Sequence, residues 1–358
     1  MGGVEELIGQ VCSGASKRGL SSEVLTVSPD TTSVDFGDHV HHRAKVDLQL
    51  ASSPFSMAAF GRFAELAKRA DVIHYHFPWP FMDVVHFATR TGKPSLVTYH
   101  ADITRQKFLL QAYKPLQKRF LRDVDRIVAT SPNYLETSPV LQQYKDKVEV
   151  IPIGLDEQRY PLPDPERIAY WRERVGEKFF LFVGNLRYYK GLHVLLDALA
   201  GTSMKAVIIG AGPVERDLKA QAARLALGEN LHFVGAVPDE DKVALLSLCY
   251  GLTFPSHLRA EAFGISLVEG AMFGKPLIST EIGTGTSFVN IADTTGLVVP
   301  PSNPVAFRDA MAKLWDSPEY AVKLGHQARQ RFERNLTSEQ MVERYVDLYQ
   351  RLARKDRT

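Results

Sequence analysis

The chain has 358 residues, too many for one ordinary hydrophobic core and about right for two domains. Apolar residues make up 45% and charged residues 23%, which excludes a disordered or collagen-like chain and fits a folded enzyme. The formal net charge of +2 argues against nucleic acid as a partner, because proteins that grip a phosphate backbone show a strongly basic domain. Cys12 and Cys249 stand far apart in helical-looking apolar segments, so they read as core residues in a reducing compartment. The opening Met-Gly-Gly-Val-Glu-Glu carries no basic or apolar leader pattern, and no run of about 18 apolar residues occurs, so a cytoplasmic protein is expected.

Short apolar runs alternate with amphipathic stretches along the chain, the pattern of βα units around parallel sheets. Strands are expected at 23–28, 71–76, 95–100, 126–130 and 148–151, then at 179–184, 205–210, 231–235, 251–254, 276–279 and 296–299. Between the two sets, Pro152, Pro161, Pro163 and Pro165 punctuate a polar stretch that can continue neither strand nor helix. The boundary is placed there, giving domains at 1–154 and 166–336. The last helical stretch, 337–358, is expected to cross back onto the first domain.

The most informative segment is Glu261-Ala-Phe-Gly-Ile-Ser-Leu-Val-Glu269-Gly-Ala-Met-Phe-Gly-Lys-Pro, which follows a strand ending Phe254-Pro-Ser. Gly264 stands where a helix would begin, and a helix N-terminus offers unpaired N–H groups and a positive dipole end to a phosphate. Glu261 falls ahead of that helix and Glu269 about one turn inside it, so two carboxylates can flank a nucleotide diphosphate and accept from vicinal hydroxyls. Read alone, both are equally well solvated surface acids. A second element changes the balance: in Phe182-Val-Gly184-Asn-Leu-Arg187-Tyr-Tyr-Lys190-Gly191 a strand breaks at a glycine and presents two cations three residues apart. Such a pair suits a diphosphate, since arginine offers a planar fork and lysine a movable point charge.

With these two segments the chain resembles the family-4 retaining glycosyltransferases of the GT-B fold, whose signature is Glu-x7-Glu preceded by a G-x-L-x-x-x-K-G-type segment. The likeness extends over nearly the whole chain, including Gly2-Gly3-Val-Glu, Thr98-Tyr-His100 and Val234-Gly235. The resemblance implies an α/β fold of two Rossmann-like domains whose parallel sheets face across a cleft, with the acceptor in the N-terminal domain and the nucleotide-sugar donor in the C-terminal one. It implies that Arg187 and Lys190 bind the donor diphosphate, that Glu269 binds the ribose, and that Glu261 with the backbone at Phe263 and Gly264 faces the transferred sugar. His100 matches the family histidine near the sugar and departing phosphate, and Gly3 the glycine loop at the diphosphate. It further implies catalysis without a metal or other cofactor. Family members open with an apolar strand ahead of that loop, and this chain begins inside it, so one strand is expected to be missing from the start as given.

The segments His74-Tyr-His-Phe-Pro-Trp-Pro-Phe-Met-Asp83 and Thr130-Ser-Pro-Asn-Tyr-Leu-Glu-Thr-Ser-Pro139 are similar to bacterial O-antigen and exopolysaccharide mannosyltransferases. This implies GDP-mannose as donor and a growing surface polysaccharide or lipid-linked oligosaccharide as acceptor; the alternatives are a hexosyltransferase using a UDP- or ADP-sugar and an inactive partner of such an enzyme. His74 and His76 share one strand face and are read as a wall of the acceptor site in preference to a metal site, for which no close third ligand is evident. Residues 105–126 hold Arg105, Lys107, Lys114, Lys118, Arg119, Arg122 and Arg126 against Asp123 and Asp125. That stretch reads as a solvated helical face or as contact with anionic lipid at the inner membrane or with a lipid-diphosphate acceptor, split into two helices by Pro115. Two other chemistries fit less of the chain. A nicotinamide site at Gly210-Ala-Gly212 lacks its third glycine, the position being Glu215. A glycoside hydrolase would use the two glutamates and leave Arg187 and Lys190 without a purpose.

Overall fold

The computed structural model describes residues 3–50, 53–103 and 107–355. The chain divides into two compact α/β units, Met1–Pro152 with Ser338–Thr358, and Ile153–Thr337.

The first unit opens with α1 (Gly3–Ser16), whose Leu7, Val11, Cys12 and Ala15 are buried on one side. β1 (Glu23–Ser28), β2 (Thr32–Asp35) and β3 (Val40–Lys45) form a small sheet in which β3 pairs parallel with β1 and antiparallel with β2. A two-stranded ribbon, β4 (Leu48–Leu50) and β5 (Ser53–Phe55), leads to α2 (Met57–Arg69), where the Ser56 side chain accepts from the Ala59 amide at 3.2 Å and caps the helix. Then β6 (Ile73–Phe77), α3 (Pro80–Thr89), β7 (Ser95–Tyr99), α4 (Lys107–Asp123), β8 (Arg126–Ala129), α5 (Pro132–Thr137) and β9 (Val148–Val150) build an all-parallel sheet of order β6-β7-β8-β9. The residues of β7 are buried throughout, as expected for a strand covered on both faces.

Two sequence expectations need correction here. Pro115 does not split the basic segment: α4 runs unbroken from Lys107 to Asp123 with the proline inside it. Pro115 is itself exposed, while Gln117, Phe120 and Leu121 in the following turns are buried; their packing outweighs the one backbone hydrogen bond that a proline removes. Strands β2 to β5 were not expected, because β3, Val-His-His-Arg-Ala-Lys, has no alternating apolar pattern. Its polar side chains are instead satisfied across the sheet: His41 meets Thr26 at 2.7 Å, and His42 meets Ser33 at 2.9 Å and Glu23 at 3.1 Å.

The second unit comprises α6 (Pro165–Val175), β10 (Phe180–Val183), α7 (Leu192–Leu199), β11 (Ala206–Ile209), α8 (Glu215–Arg224), β12 (Leu231–Gly235), α9 (Asp239–Leu248) and β13 (Gly251–Phe254). It continues with α10 (Ile265–Met272), β14 (Leu277–Thr280), α11 (Thr286–Val289), β15 (Gly296–Val299), α12 (Pro304–Asp316) and α13 (Pro318–Asn335). Its six strands are all parallel in the order β12-β11-β10-β13-β14-β15. One core cluster gathers Phe180, Phe182, Leu195, Ile208, Phe307 and Leu324 between sheet and helices. The chain steps outward from β10 through β11 to β12 and then returns to β13 on the other side of β10, so the strand order reverses between β10 and β13. α14 (Ser338–Lys355) then joins the first unit, lying so close to α1 that a Cβ on Gly14 would stand 2.6 Å from Val342.

Candidate active site

In open parallel sheets ligands bind beyond the carboxyl ends of the strands where the order reverses. Both sequence motifs fall at that point of the second unit: Arg187 and Lys190 follow β10, and Glu261, Phe263 and Gly264 follow β13. Two glycines shape the loops. Gly191 has φ +69°, and a Cβ there would stand 2.0 Å from the Pro255 carbonyl oxygen, so only glycine lets the two loops approach. Gly264 has φ +91° and precedes the first residue of α10, and a Cβ there would stand 3.1 Å from the Phe254 and Leu267 side chains.

The structure brings Lys190 and Glu261 together. The Lys190 ammonium makes an ion pair with Glu261 Oε2, and the Ser256 hydroxyl donates to the same oxygen over 3.2 Å. Lys190 also lies over the Phe254 ring, 5.0 Å from its centroid. Phe263 is buried, and the backbone of its neighbour Ala262 accepts from the Gly285 amide at 2.8 Å. Glu269, the fifth residue of α10, is buried too, but it belongs to a different group of contacts with Lys242 and Tyr160. Arg187 stands apart from the Lys190–Glu261 pair. It is exposed, its guanidinium has no partner among the described residues, and it lines a groove of about 420 Å³ between α7 and α8 with Tyr188, His193, Asp217 and Arg224. Lys242, Tyr160 and Ser256 were not singled out from the sequence. Lys242 sits in Asp239-Glu-Asp-Lys, which reads as a solvated helix start, and Tyr160 lies in the proline-rich connector.

His100 and Gly3 lie in the first unit. Gly3 opens α1 and is exposed. β6 alternates buried Ile73, Tyr75 and Phe77 with His74 and His76 on the opposite face. There His76 Nδ1 meets His100 Nε2 at 2.9 Å with the rings stacked, and His74 stacks on His76 with centroids 4.3 Å apart. His74 is held on both nitrogens, by the Tyr349 hydroxyl at 2.7 Å and the Thr98 hydroxyl at 2.7 Å, and Thr98 in turn meets the Tyr345 hydroxyl at 2.9 Å. α14 thus seals one end of the histidine row. Burial pushes His100 down to about 4 and, with the repulsion of His100, pushes His74 down to about 3. Burial and both neighbours also hold His76 well below its ordinary value. The row is therefore neutral at neutral pH, able to donate or accept hydrogen bonds but carrying no charge.

On α4, Lys114, Lys118, Arg119 and Arg122 are exposed, whereas Arg105 lies outside the described residues. Among the described residues no helix is long and apolar enough to cross a membrane.

The geometry agrees with what comparison with known proteins shows. Residues 1–159 match the model described as Glycosyltransferase Family 4, and residues 165–331 match Glycosyl transferases group 1. The chain is 58% identical to the D-rhamnosyltransferase WbpZ of Pseudomonas aeruginosa over 94% of its own length and 89% of that protein's. It is 48% identical to the O-antigen chain mannosyltransferase C of Escherichia coli, over 97% of this chain and 94% of the relative. In fold it is similar to the sucrose-phosphate synthase of Thermosynechococcus elongatus, with a TM-score of 0.81 at 21% identity, covering 98% of this chain and 94% of that one. A sheet whose reversal point carries a paired lysine and glutamate at the family spacing, together with relatives this similar over nearly their whole length, leads to one assignment: the chain belongs to the family-4 glycosyltransferases of the GT-B fold.

Proposed function

We propose that this glycosyltransferase moves mannose from GDP-mannose, with retention of configuration, to a growing surface polysaccharide or lipid-linked oligosaccharide. The observation that carries the donor site is the meeting of Lys190 and Glu261 where the strand order reverses. In this reading Arg187 and Lys190 neutralise the diphosphate and Glu269 takes the ribose hydroxyls. Glu261 and the backbone at Phe263 and Gly264 address the sugar. The family likeness assigns His100 to the sugar and departing phosphate and Gly3 to the diphosphate. The acceptor hydroxyl attacks on the face that the diphosphate leaves, a departing phosphate oxygen helps take the proton, and the protein acts mainly by stabilising charge on the leaving group. No metal is required, because the two cations occupy that role.

The choice of mannose rests on the likeness to the mannosyltransferase of Escherichia coli, and the more similar Pseudomonas relative supports a second reading, transfer of D-rhamnose. D-Rhamnose is mannose without its 6-hydroxyl, so the two readings differ by one oxygen on the transferred sugar. A melting-temperature screen separates these from UDP- or ADP-sugar use, since a ligand at about 100 times its Kd adds roughly 2.7 kcal/mol of stability. GDP is expected to raise the melting temperature more than UDP or ADP does, and turnover of GDP-mannose against GDP-D-rhamnose then assigns the sugar. A preference for UDP-glucose would overturn the mannose reading.

We further propose that α4 touches anionic lipid, on the observation that Lys114, Lys118 and Arg122 recur every four residues and are exposed. Sedimentation with anionic but not neutral vesicles, weakening as salt rises past about 0.1 M, is expected. Equal sedimentation with both would remove the proposal.

A further inference from the structure

Both contacts of the buried Glu269 carboxylate fall on one oxygen. Lys242 Nζ, from the first turn of α9, lies 3.0 Å from Oε1, and the Tyr160 hydroxyl donates to that same Oε1 over 3.0 Å. The three side chains form a compact group, since the Lys242 ammonium lies over the Tyr160 ring, 5.0 Å from its centroid, and 3.0 Å from Asp239 Oδ1. Oε2 has no hydrogen-bond partner among the described residues and is not sealed from solvent.

This asymmetry is not needed to dock α9. The helix is already tied to α6 by the neighbouring Asp241, whose Oδ1 accepts from Arg167 at 2.8 Å and from the Trp171 ring at 3.0 Å. What Lys242 adds is a fixed charge against a buried carboxylate whose second oxygen is left open. A carboxylate oxygen has two lone-pair directions, enough for two adjacent hydroxyls, but only if the group cannot spin to offer either oxygen at random. Burial alone drives the Lys242 pKa down, yet Glu269 and Asp239 outweigh it and the value is raised, so the ammonium stays charged.

We propose that Lys242, with Tyr160, is a positioning residue for the donor: together they occupy Oε1 of Glu269 and hold Oε2 as the acceptor for the vicinal hydroxyls of a nucleoside diphosphate's ribose. This rests on the reading of Glu269 as the ribose acceptor. It explains why a lysine stands in an acidic helix start, and it assigns ribose selectivity to a cation that never meets the nucleotide.

The test is calorimetric titration of the full chain with GDP and UDP and with their 2′-deoxy and 3′-deoxy counterparts, read as the ratio of deoxy to ribo Kd. Hydrogen bonds to a charged group are worth about 1.5–3 kcal/mol, so the wild-type ratio is expected at roughly 10- to 100-fold. Glu269→Gln and Lys242→Met are each expected to bring it below about fivefold, and Lys242→Arg to preserve it. A ratio that stays at the wild-type value in Lys242→Met, whatever its melting temperature, shows that the lysine only supports the fold and overturns the inference, while the Glu269 reading stands. An unchanged ratio in Glu269→Gln overturns both. If Lys242→Met does not fold, Tyr160→Phe reads the same oxygen without a cavity: a reduced ratio supports the proposal and an unchanged one removes it.

Discussion

The Lys190 ammonium and the Ser256 hydroxyl converge on a single oxygen of Glu261, so the cation proposed to face the donor diphosphate is ion-paired with the carboxylate proposed to address the sugar. Both side chains are largely buried, with 13% and 10% of their surface exposed. Removing one partner therefore strands the other. Lys190→Ala is expected to lower kcat by roughly 10²–10³ and to destabilise the fold as well. Lys190→Ala/Glu261→Gln removes the stranded charge, so it is expected to recover melting temperature without recovering kcat. Recovery of both in the double variant would show that the pair is structural.

Asp83 supplies a test in the first unit. It is fully buried on α3, with the Tyr113 hydroxyl donating to Oδ2 and Oδ1 without a partner among the described residues. Burial raises its pKa, against the opposing hydrogen bond from Tyr113, to about 8. Between about pH 4 and pH 8 the folded chain keeps this proton while the unfolded chain releases it, so this group makes stability fall as pH rises through that window. Asp83→Asn is expected to remove that slope, an effect on the order of a few kcal/mol at pH 8. Parallel stability–pH curves for the two proteins, measured by denaturant titration, would refute the assignment.

Much of the fold was legible because strands and amphipathic stretches alternate along the chain: β1, β12, β13 and β15 coincide with their expected spans, and β13, buried throughout, reads as a continuous apolar run. β2 and β3 were not, because His41 and His42 are satisfied by side-chain partners that only the folded sheet supplies. The site divides the same way. Lys190, Glu261 and Gly264 were visible because a glycine, a charge and a strand end at fixed spacing restrict the chemistry. Lys242 was invisible, since its partner lies 27 positions later in the sequence and its local setting is that of a solvated helix start.

The histidine row gives the opposite pH dependence from Asp83. Burial first, and the neighbouring rings second, hold His74 near 3, with His100 lowered by burial to about 4 and His76 held well below its ordinary value. The unfolded chain takes up these protons below about pH 6.5 and the folded chain does not, so stability is full above that pH and is lost as pH falls toward 4. The slope is at most about 1.4 kcal/mol per pH unit for each histidine. His74→Gln gives up the paired grip of Thr98 and Tyr349, so it is expected to lose roughly 1 kcal/mol at pH 7.5 and to show a shallower acid slope. An unchanged acid slope in this variant would mean that His74 is already charged in the folded protein.

Arg187 tests the mechanism without the complication of a broken pair. It is exposed and its guanidinium has no partner among the described residues, so Arg187→Ala is expected to leave the folding stability within about 0.5 kcal/mol of wild type. If charge on the leaving diphosphate grows in the transition state, a cation against it stabilises that state more than the bound donor. Turnover should then fall more than donor affinity does, by roughly 10²–10³ in kcat on the scale of losing one oxyanion donor. Arg187→Lys should recover only part of this, because an ammonium cannot reproduce the two-point grip of a guanidinium on phosphate oxygens. EDTA should leave wild-type activity unchanged if the two cations do the work of a metal. The measurement is kcat and KM for wild type, Arg187→Ala and Arg187→Lys, each with and without EDTA. A normal kcat in Arg187→Ala would place this arginine outside the donor site, in the α7–α8 groove it lines, and leave Lys190 as the cation that meets the diphosphate. Loss of wild-type activity in EDTA would show instead that a metal carries the charge assigned to both side chains.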